Sequence, residues 1–136
     1  MTIFAFDIDG TICTNTYGKY DLAQPYPQRI EHINKLYNEG HTIKMFTARG
    51  STTQKNWFDF TSNQISSWGL KFHELIIGKP EADIFIDDKA VNHNSWNWEN
   101  DTLALASKNS EKAKRYFSKV SETFFLISQN TELIEK

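Results

Sequence analysis

The stretch that decides the fold is Ile3-Phe4-Ala5-Phe6-Asp7-Ile8-Asp9-Gly10-Thr11. Its first four residues are wholly apolar, and the run stops at an acid. Such a run fits a strand buried on both faces of a parallel sheet, so Thr2 to Phe6 is predicted as a strand. Asp9-Gly10-Thr11 then punctuates the chain. Asp7 and Asp9 stand two apart, so on an extended backbone their side chains point the same way. Taken alone, the Asp-Gly step also reads as an ordinary turn.

Beyond this stretch, residues 12 to about 25 are polar, with Asn15, Thr16, Gly18 and Asp21, and read as a loop or small hairpin flap. Pro27 suits the first turn of a helix. Ile30, Ile33, Leu36 and Tyr37 recur at helical spacing, and Gly40 fits the position just past the helix end. Thr42 to Phe46 reads as a second strand, ending at Thr47. A second helix is predicted from about Thr52 to Trp68, with Trp57, Phe60, Ile65 and Trp68 facing inward and Gly69 ending it. Glu74 to Ile77 and Asp83 to Ile86 read as two further strands, the last ending at Asp87-Asp88. Strands alternating with helices give the βαβ pattern of an α/β fold, a parallel sheet with covering helices. Asn92, Asn94, Asn97 and Asn100 favour loop over residues 91 to 109, where Trp96 and Trp98 need somewhere to pack. From about Ser110 a long helix is predicted, over residues 110–134. Ala113, Tyr116, Phe117, Val120, Phe124 and Ile127 form its apolar stripe.

The 136 residues suit one domain, 1–136. The formal net charge of −2 offers no basic field for a nucleic-acid backbone. Cys13 is the only cysteine, so no intrachain disulfide is expected. No apolar run reaches the length of a membrane span, and no signal peptide is read. A cytoplasmic location is the resulting expectation.

Polar clusters sit at the expected C-terminal ends of the four strands: Asp7/Asp9, Thr47, Lys79 just past the third, and Asp87/Asp88. In an open parallel sheet that edge is where ligands bind. Several acids in one cleft repel one another unless a cation neutralises them, and hard oxygen ligands favour magnesium. A carboxylate can serve as nucleophile and form an aspartyl-phosphate. Phosphoryl transfer needs cations and donors around the equatorial oxygens. Lys79 supplies a charge and Thr47 a hydroxyl. The turn after Thr47, Ala48 included, offers backbone N–H groups at the expected start of the second helix.

The ordered set resembles the haloacid dehalogenase (HAD) superfamily. Asp7-Ile8-Asp9-Gly10-Thr11 resembles its motif I, and Thr47 in Phe46-Thr47-Ala48-Arg49 its motif II. Lys79 in Gly78-Lys79-Pro80 resembles motif III, and Ile84-Phe85-Ile86-Asp87-Asp88 motif IV in its paired-aspartate form. The resemblance implies a Rossmann-like three-layer sandwich around a central parallel sheet. It implies a phosphatase that uses Mg2+. Asp7 would be the nucleophile and a metal ligand. Asp9 would be the general acid/base and lend its backbone carbonyl to the metal. Thr47, Ala48 and Lys79 would hold the phosphoryl group. Asp87 would be the further metal ligand, with Asp88 and Arg49 in support.

Neither the interval from Thr11 to Pro27 nor that from Thr47 to Lys79 has room for a lid domain, so the chain resembles a minimal, capless member. The finer resemblance is to small bacterial phosphatases of capsule and polysaccharide biosynthesis. It implies a small phosphorylated metabolite as partner, such as a sugar phosphate or a phosphorylated alcohol or amine. The site would be open unless a second copy in a homo-oligomer, or the segment around Trp96 and Trp98, covers it.

Each residue also has a plainer reading. Thr47 could be a helix N-cap, and Lys79 a solvated lysine. Arg49 could meet a substrate anion or pair with an acid on the surface. Asp88 could orient Lys79 or a metal-bound water. Cys13 reads as flap packing, and the four histidines show no metal-ligand spacing. Trp96 and Trp98 could stack on a substrate or pack as core. Two alternative functions compete: a phosphatase for a macromolecule, and a phospho-accepting regulatory module.

Overall fold

The computed structural model describes residues 1–99 of the chain. The expected helix over residues 110–134 lies outside the described residues. The chain divides into two units, Met1–Phe85 and Ile86–Lys136.

The first unit is a small α/β fold, with a three-stranded parallel sheet in the order β1-β2-β3. Strand β1 is Ile3–Asp7, β2 is Thr42–Thr47 and β3 is Glu74–Ile77. Helix α1, Pro27–Asn38, joins β1 to β2, and α2, Phe58–Ser67, joins β2 to β3. The pairing places Phe4 beside Ile43, Phe6 beside Met45, and Met45 beside Leu75. These residues therefore share one face, and all five are buried. Helix α1 packs on β2 and α2 on β3, with Ile30, His32, Ile33 and Leu36 buried on α1 and Thr61 and Ile65 on α2. Pro27 opens α1 as expected, and Gly40 follows it at a φ of +96° that favours glycine.

Three expectations need correction. The first strand is not buried on both faces among the described residues: Ile3 is 61% exposed, and Ala5 is exposed too. Alternation wins over the continuous apolar run, because the face of Phe4 and Phe6 is the buried one. The second helix begins at Phe58 rather than near Thr52. Gly50 and Gln54 both adopt positive φ, which breaks helical geometry between them. Trp57 is its N-cap residue, and the Asn56 side chain accepts the Phe58 amide at 2.9 Å. Phe60 is exposed rather than inward, and Trp57 and Trp68 are half-buried.

The third correction concerns Asp83 to Ile86, which forms no strand. Ile84 is 77% exposed and Ile86 95%. An apolar run becomes a strand only where its backbone finds a ladder partner. Among the described residues the sheet ends at β1 on one side and β3 on the other. In the second unit, the Trp98 indole donates to the His93 carbonyl at 3.0 Å. Trp96 and Trp98 are both half-buried there. Among the described residues, no helix is long and apolar enough to cross a membrane.

Candidate active site

The parallel sheet delivers Asp7, Thr47 and, two residues past β3, Lys79 to one edge, the C-terminal ends of its strands. The edge is held together by short-range bonds. Lys79 Nζ stands 3.3 Å from Asp7 Oδ1. The Thr11 hydroxyl donates to Asp7 Oδ2 at 3.2 Å. The Thr47 carbonyl accepts the amides of Gly78 and Lys79 at 3.2 and 3.1 Å, which pins the Lys79 backbone onto the end of β2. The Ser51 hydroxyl donates to the Lys79 carbonyl at 2.7 Å. The Lys79 ammonium lies over the rings of Phe46, 4.8 Å, and Phe85, 4.5 Å. Two aromatic faces and one carboxylate thus hold the cation at the rim.

Asp9 has a different setting. It lies past the end of β1, in a bridge with Cys13, so the two-residue strand argument does not reach it. Both its oxygens face Arg49: Nε donates to Oδ2 at 2.8 Å and a terminal nitrogen to Oδ1 at 2.9 Å. This is the two-point geometry in which a guanidinium matches a carboxylate. The Arg49 side chain is fully buried, and that of Asp9 is 18% exposed. Arg49 therefore pairs with an acid, but in the interior rather than on the surface.

The turn at Gly10 has a φ of +82°, and its amide donates to the Cys13 carbonyl at 2.9 Å. The amides of Thr11 and Ile12 both donate to the Ile8 carbonyl. Arg29 of α1 donates to the Thr11 carbonyl at 2.8 Å, tying the turn to that helix. The flap is closed at its base by Thr14 N donating to Gln24 O and Tyr26 N to Ile12 O, and by the Cys13–Pro25 bridge. A 3-10 turn at Tyr20–Leu22 sits within it.

Thr47 is no helix cap. Its buried hydroxyl accepts the Arg49 amide at 3.1 Å, a local turn bond two residues along the chain. The residues from Ala48 to Trp57 form a loop, so no helix end stands directly after Thr47. Gly50 is required in that loop: a Cβ there would stand 2.3 Å from the Lys55 carbonyl oxygen.

Cys13 is buried, and its thiol is pushed up to about 12, chiefly by burial and then by Asp9. It stays protonated at neutral pH and is no thiolate nucleophile. The oxygen donors around the turn, the carboxylate of Asp7, the hydroxyl of Thr11 and the carbonyl of Asp9, are hard. His41 and His73 precede β2 and β3 at the opposite edge. A donor set of this kind fits magnesium rather than zinc. Among the described residues, no group of three or more His, Cys, Asp or Glu side chains could hold a metal ion. Magnesium ordinarily takes one or two carboxylates and completes its shell with water and phosphate oxygens.

Asp87 and Asp88 belong to the second unit and are exposed. The Asp88 side chain, then the Lys89 amide, holds the Asp87 carboxyl below its ordinary range.

Thr11, Ser51, Tyr20, Thr61 and Gln64 join the network around the expected residues. A hydroxyl four residues after Asp7 was the one readable signal among them.

No family model matches the chain, and no curated protein matches it. A crystal structure of a structural-genomics target from Vibrio cholerae is similar in fold. The two share 23% identity with a TM-score of 0.66, over 88% of this chain and 98% of that one. The likeness agrees with a Rossmann-like α/β fold.

Proposed function

We propose that this chain is a phosphatase: a magnesium-dependent phosphomonoester hydrolase and a minimal, capless member of the HAD superfamily with its three-layer sandwich. The observation that carries the reading is the Asp7–Lys79 pair, 3.3 Å apart at the C-terminal edge of the sheet. A carboxylate that is 28% exposed and faces a cation is placed to meet an incoming anion. Thr47 closes the same edge.

The chemistry follows from these groups. An Asp7 oxygen attacks phosphorus, and the bond from phosphorus to the ester oxygen breaks. That oxygen keeps the electron pair and takes a proton from Asp9. Water then attacks the aspartyl-phosphate and gives its proton to Asp9. Phosphate leaves, and Asp7 is regenerated. Lys79, with Thr47 and the Ala48 amide, stabilises charge on the transferred group.

Asp7 and the Asp9 carbonyl would hold the magnesium. The resemblance adds Asp87, an assignment that rests on the sequence Ile84-Phe85-Ile86-Asp87-Asp88. When bound, the ion offsets repulsion between Asp7 and the substrate phosphate. The substrate class we propose is a small phosphorylated metabolite, a sugar phosphate or a phosphorylated alcohol or amine. The test is release of phosphate from p-nitrophenyl phosphate and from a panel of such metabolites, with and without magnesium. End-phosphorylated oligonucleotides and phosphopeptides serve as the opposing arm. Release that depends on magnesium and on Asp7 supports the reading. Full activity in Asp7→Asn would sink it.

A further inference from the structure

Arg49 has more partners than a surface ion pair needs. Its guanidinium donates twice to Asp9, and its remaining terminal nitrogen donates to the Thr61 hydroxyl at 3.1 Å and the Gln64 carbonyl oxygen at 2.8 Å. Its face lies over the Tyr20 ring, 4.4 Å from the centroid. Gln64 in turn donates to the Tyr20 carbonyl at 2.7 Å, and the Tyr20 ring packs edge-on against Trp57 at 4.9 Å. One buried cation therefore joins four segments that are distant in sequence: the turn after β1, the loop after β2, helix α2 and the flap.

Being fully buried, Arg49 does not meet an incoming phosphate. It is held on all sides, so it does not move aside to release Asp9. Asp9 does not need release: Oδ1 also accepts the Cys13 thiol at 3.7 Å, but Oδ2 keeps a second lone pair beyond the one facing Arg49. A proton can be given or taken there while the fork still fixes the carboxylate. We propose that Arg49 is the positioning residue for Asp9, and that the flap holds Arg49 in place through Tyr20. The acid/base step then depends on the seating of the flap. This rests on the phosphatase reading and deepens it, because it makes the flap part of the catalytic geometry.

A lysine at position 49 keeps the charge but loses the planar fork. The full-length wild type, Arg49→Lys, Tyr20→Phe and Tyr20→Ala are compared on p-nitrophenyl phosphate, a good leaving group, and glycerol phosphate, a poor one. A misplaced acid costs most where the leaving oxygen needs its proton. We expect Arg49→Lys to lose about tenfold more kcat/KM on the alkyl ester than on the aryl ester, a part of what general acid catalysis supplies. Tyr20→Ala loses in the same sense by less, and Tyr20→Phe, which keeps the ring over Arg49, loses less than Tyr20→Ala. A merely structural Arg49 would lower both esters equally through a smaller folded fraction, and equal losses overturn the positioning role.

Amide exchange across residues 14–24 gives a second readout that needs no turnover. Arg49→Lys and Tyr20→Ala should loosen the flap while α1 and β2 stay protected. Unchanged flap exchange in both variants overturns the coupling. Absence of phosphate release from the wild type would instead overturn the phosphatase reading, and the exchange result would still decide the Arg49–Tyr20 link.

Discussion

Asp7 and Asp9 are two residues apart, each faces one cation, and the two pairs are built in opposite ways. The Asp7–Lys79 contact is a single 3.3 Å approach between side chains 28% and 18% exposed. The Asp9–Arg49 contact is a two-point fork in which Arg49 is wholly buried. An ammonium at the rim is a compact charge on a flexible stem, suited to share itself with an arriving anion. A buried guanidinium fixes a carboxylate in one orientation. On the phosphatase reading, one acid is left free to react and its neighbour is fixed to move protons.

Removing one acid at a time breaks this comparison most strongly. Asp7→Asn is expected to abolish phosphate release while changing unfolding free energy by less than about 1 kcal/mol, since a rim pair contributes little. Asp9→Asn is expected to lower the rate by roughly 10²- to 10⁴-fold. It should also cost about 3 kcal/mol of stability, because Arg49 is left buried without its counter-charge. Rate assays and urea unfolding on the same preparations check both. If the two variants are equally stable, the contrast in burial does not operate.

Lys79→Met removes the rim cation and keeps the stem over Phe46 and Phe85. Activity should fall by roughly 10²-fold, as when one charge-stabilising donor is lost, with thermal stability near wild type. Gly50→Ala acts on the loop that carries Arg49 and Ser51. Its Cβ would meet the Lys55 carbonyl oxygen at 2.3 Å, at a φ of +86°. The protein should lose more than about 1 kcal/mol of stability, with a loss of rate on top.

The smallest effect concerns pH. Burial, then the chain's amino terminus, lowers the pKa of His41, with Glu39 opposing. The folded state therefore binds fewer protons than the unfolded one below the ordinary value of 6.5. The stability this contributes is present above that value and is lost as pH falls through it toward the folded pKa. His41 Nδ1 accepts the Thr2 amide at 3.0 Å, and Asn can accept the same bond. Melting temperature should fall less steeply between about pH 7 and pH 5 in His41→Asn than in wild type.

Much of the first unit was legible in the sequence because apolar runs mark strands and each functional residue follows one. Asp7, Thr47 and Lys79 were found this way, and the structure brings all three to one edge. Pro27 and Gly40 bracketed α1 for the same kind of local reason. What was not legible depends on depth. Asp9 and Arg49 are forty residues apart in sequence, and nothing local says that their pairing is buried. The start of α2 was misplaced because the left-handed residues Gly50 and Gln54 lie in a stretch whose composition does not forbid helix. The run Ile84-Phe85-Ile86 carries a strand's composition, yet a strand also needs a ladder partner, which composition does not record.

The central claim is that Asp7 takes the phosphoryl group, and the most direct measurement is to catch it there. Enzyme turning over a phosphomonoester is quenched in acid, digested and searched by mass spectrometry. The account predicts a phosphoryl group on the Asp7 side chain in wild type and none in Asp7→Asn. Phosphate released with no phosphoryl group ever found on Asp7, or by Asp7→Asn at the wild-type rate, would contradict it.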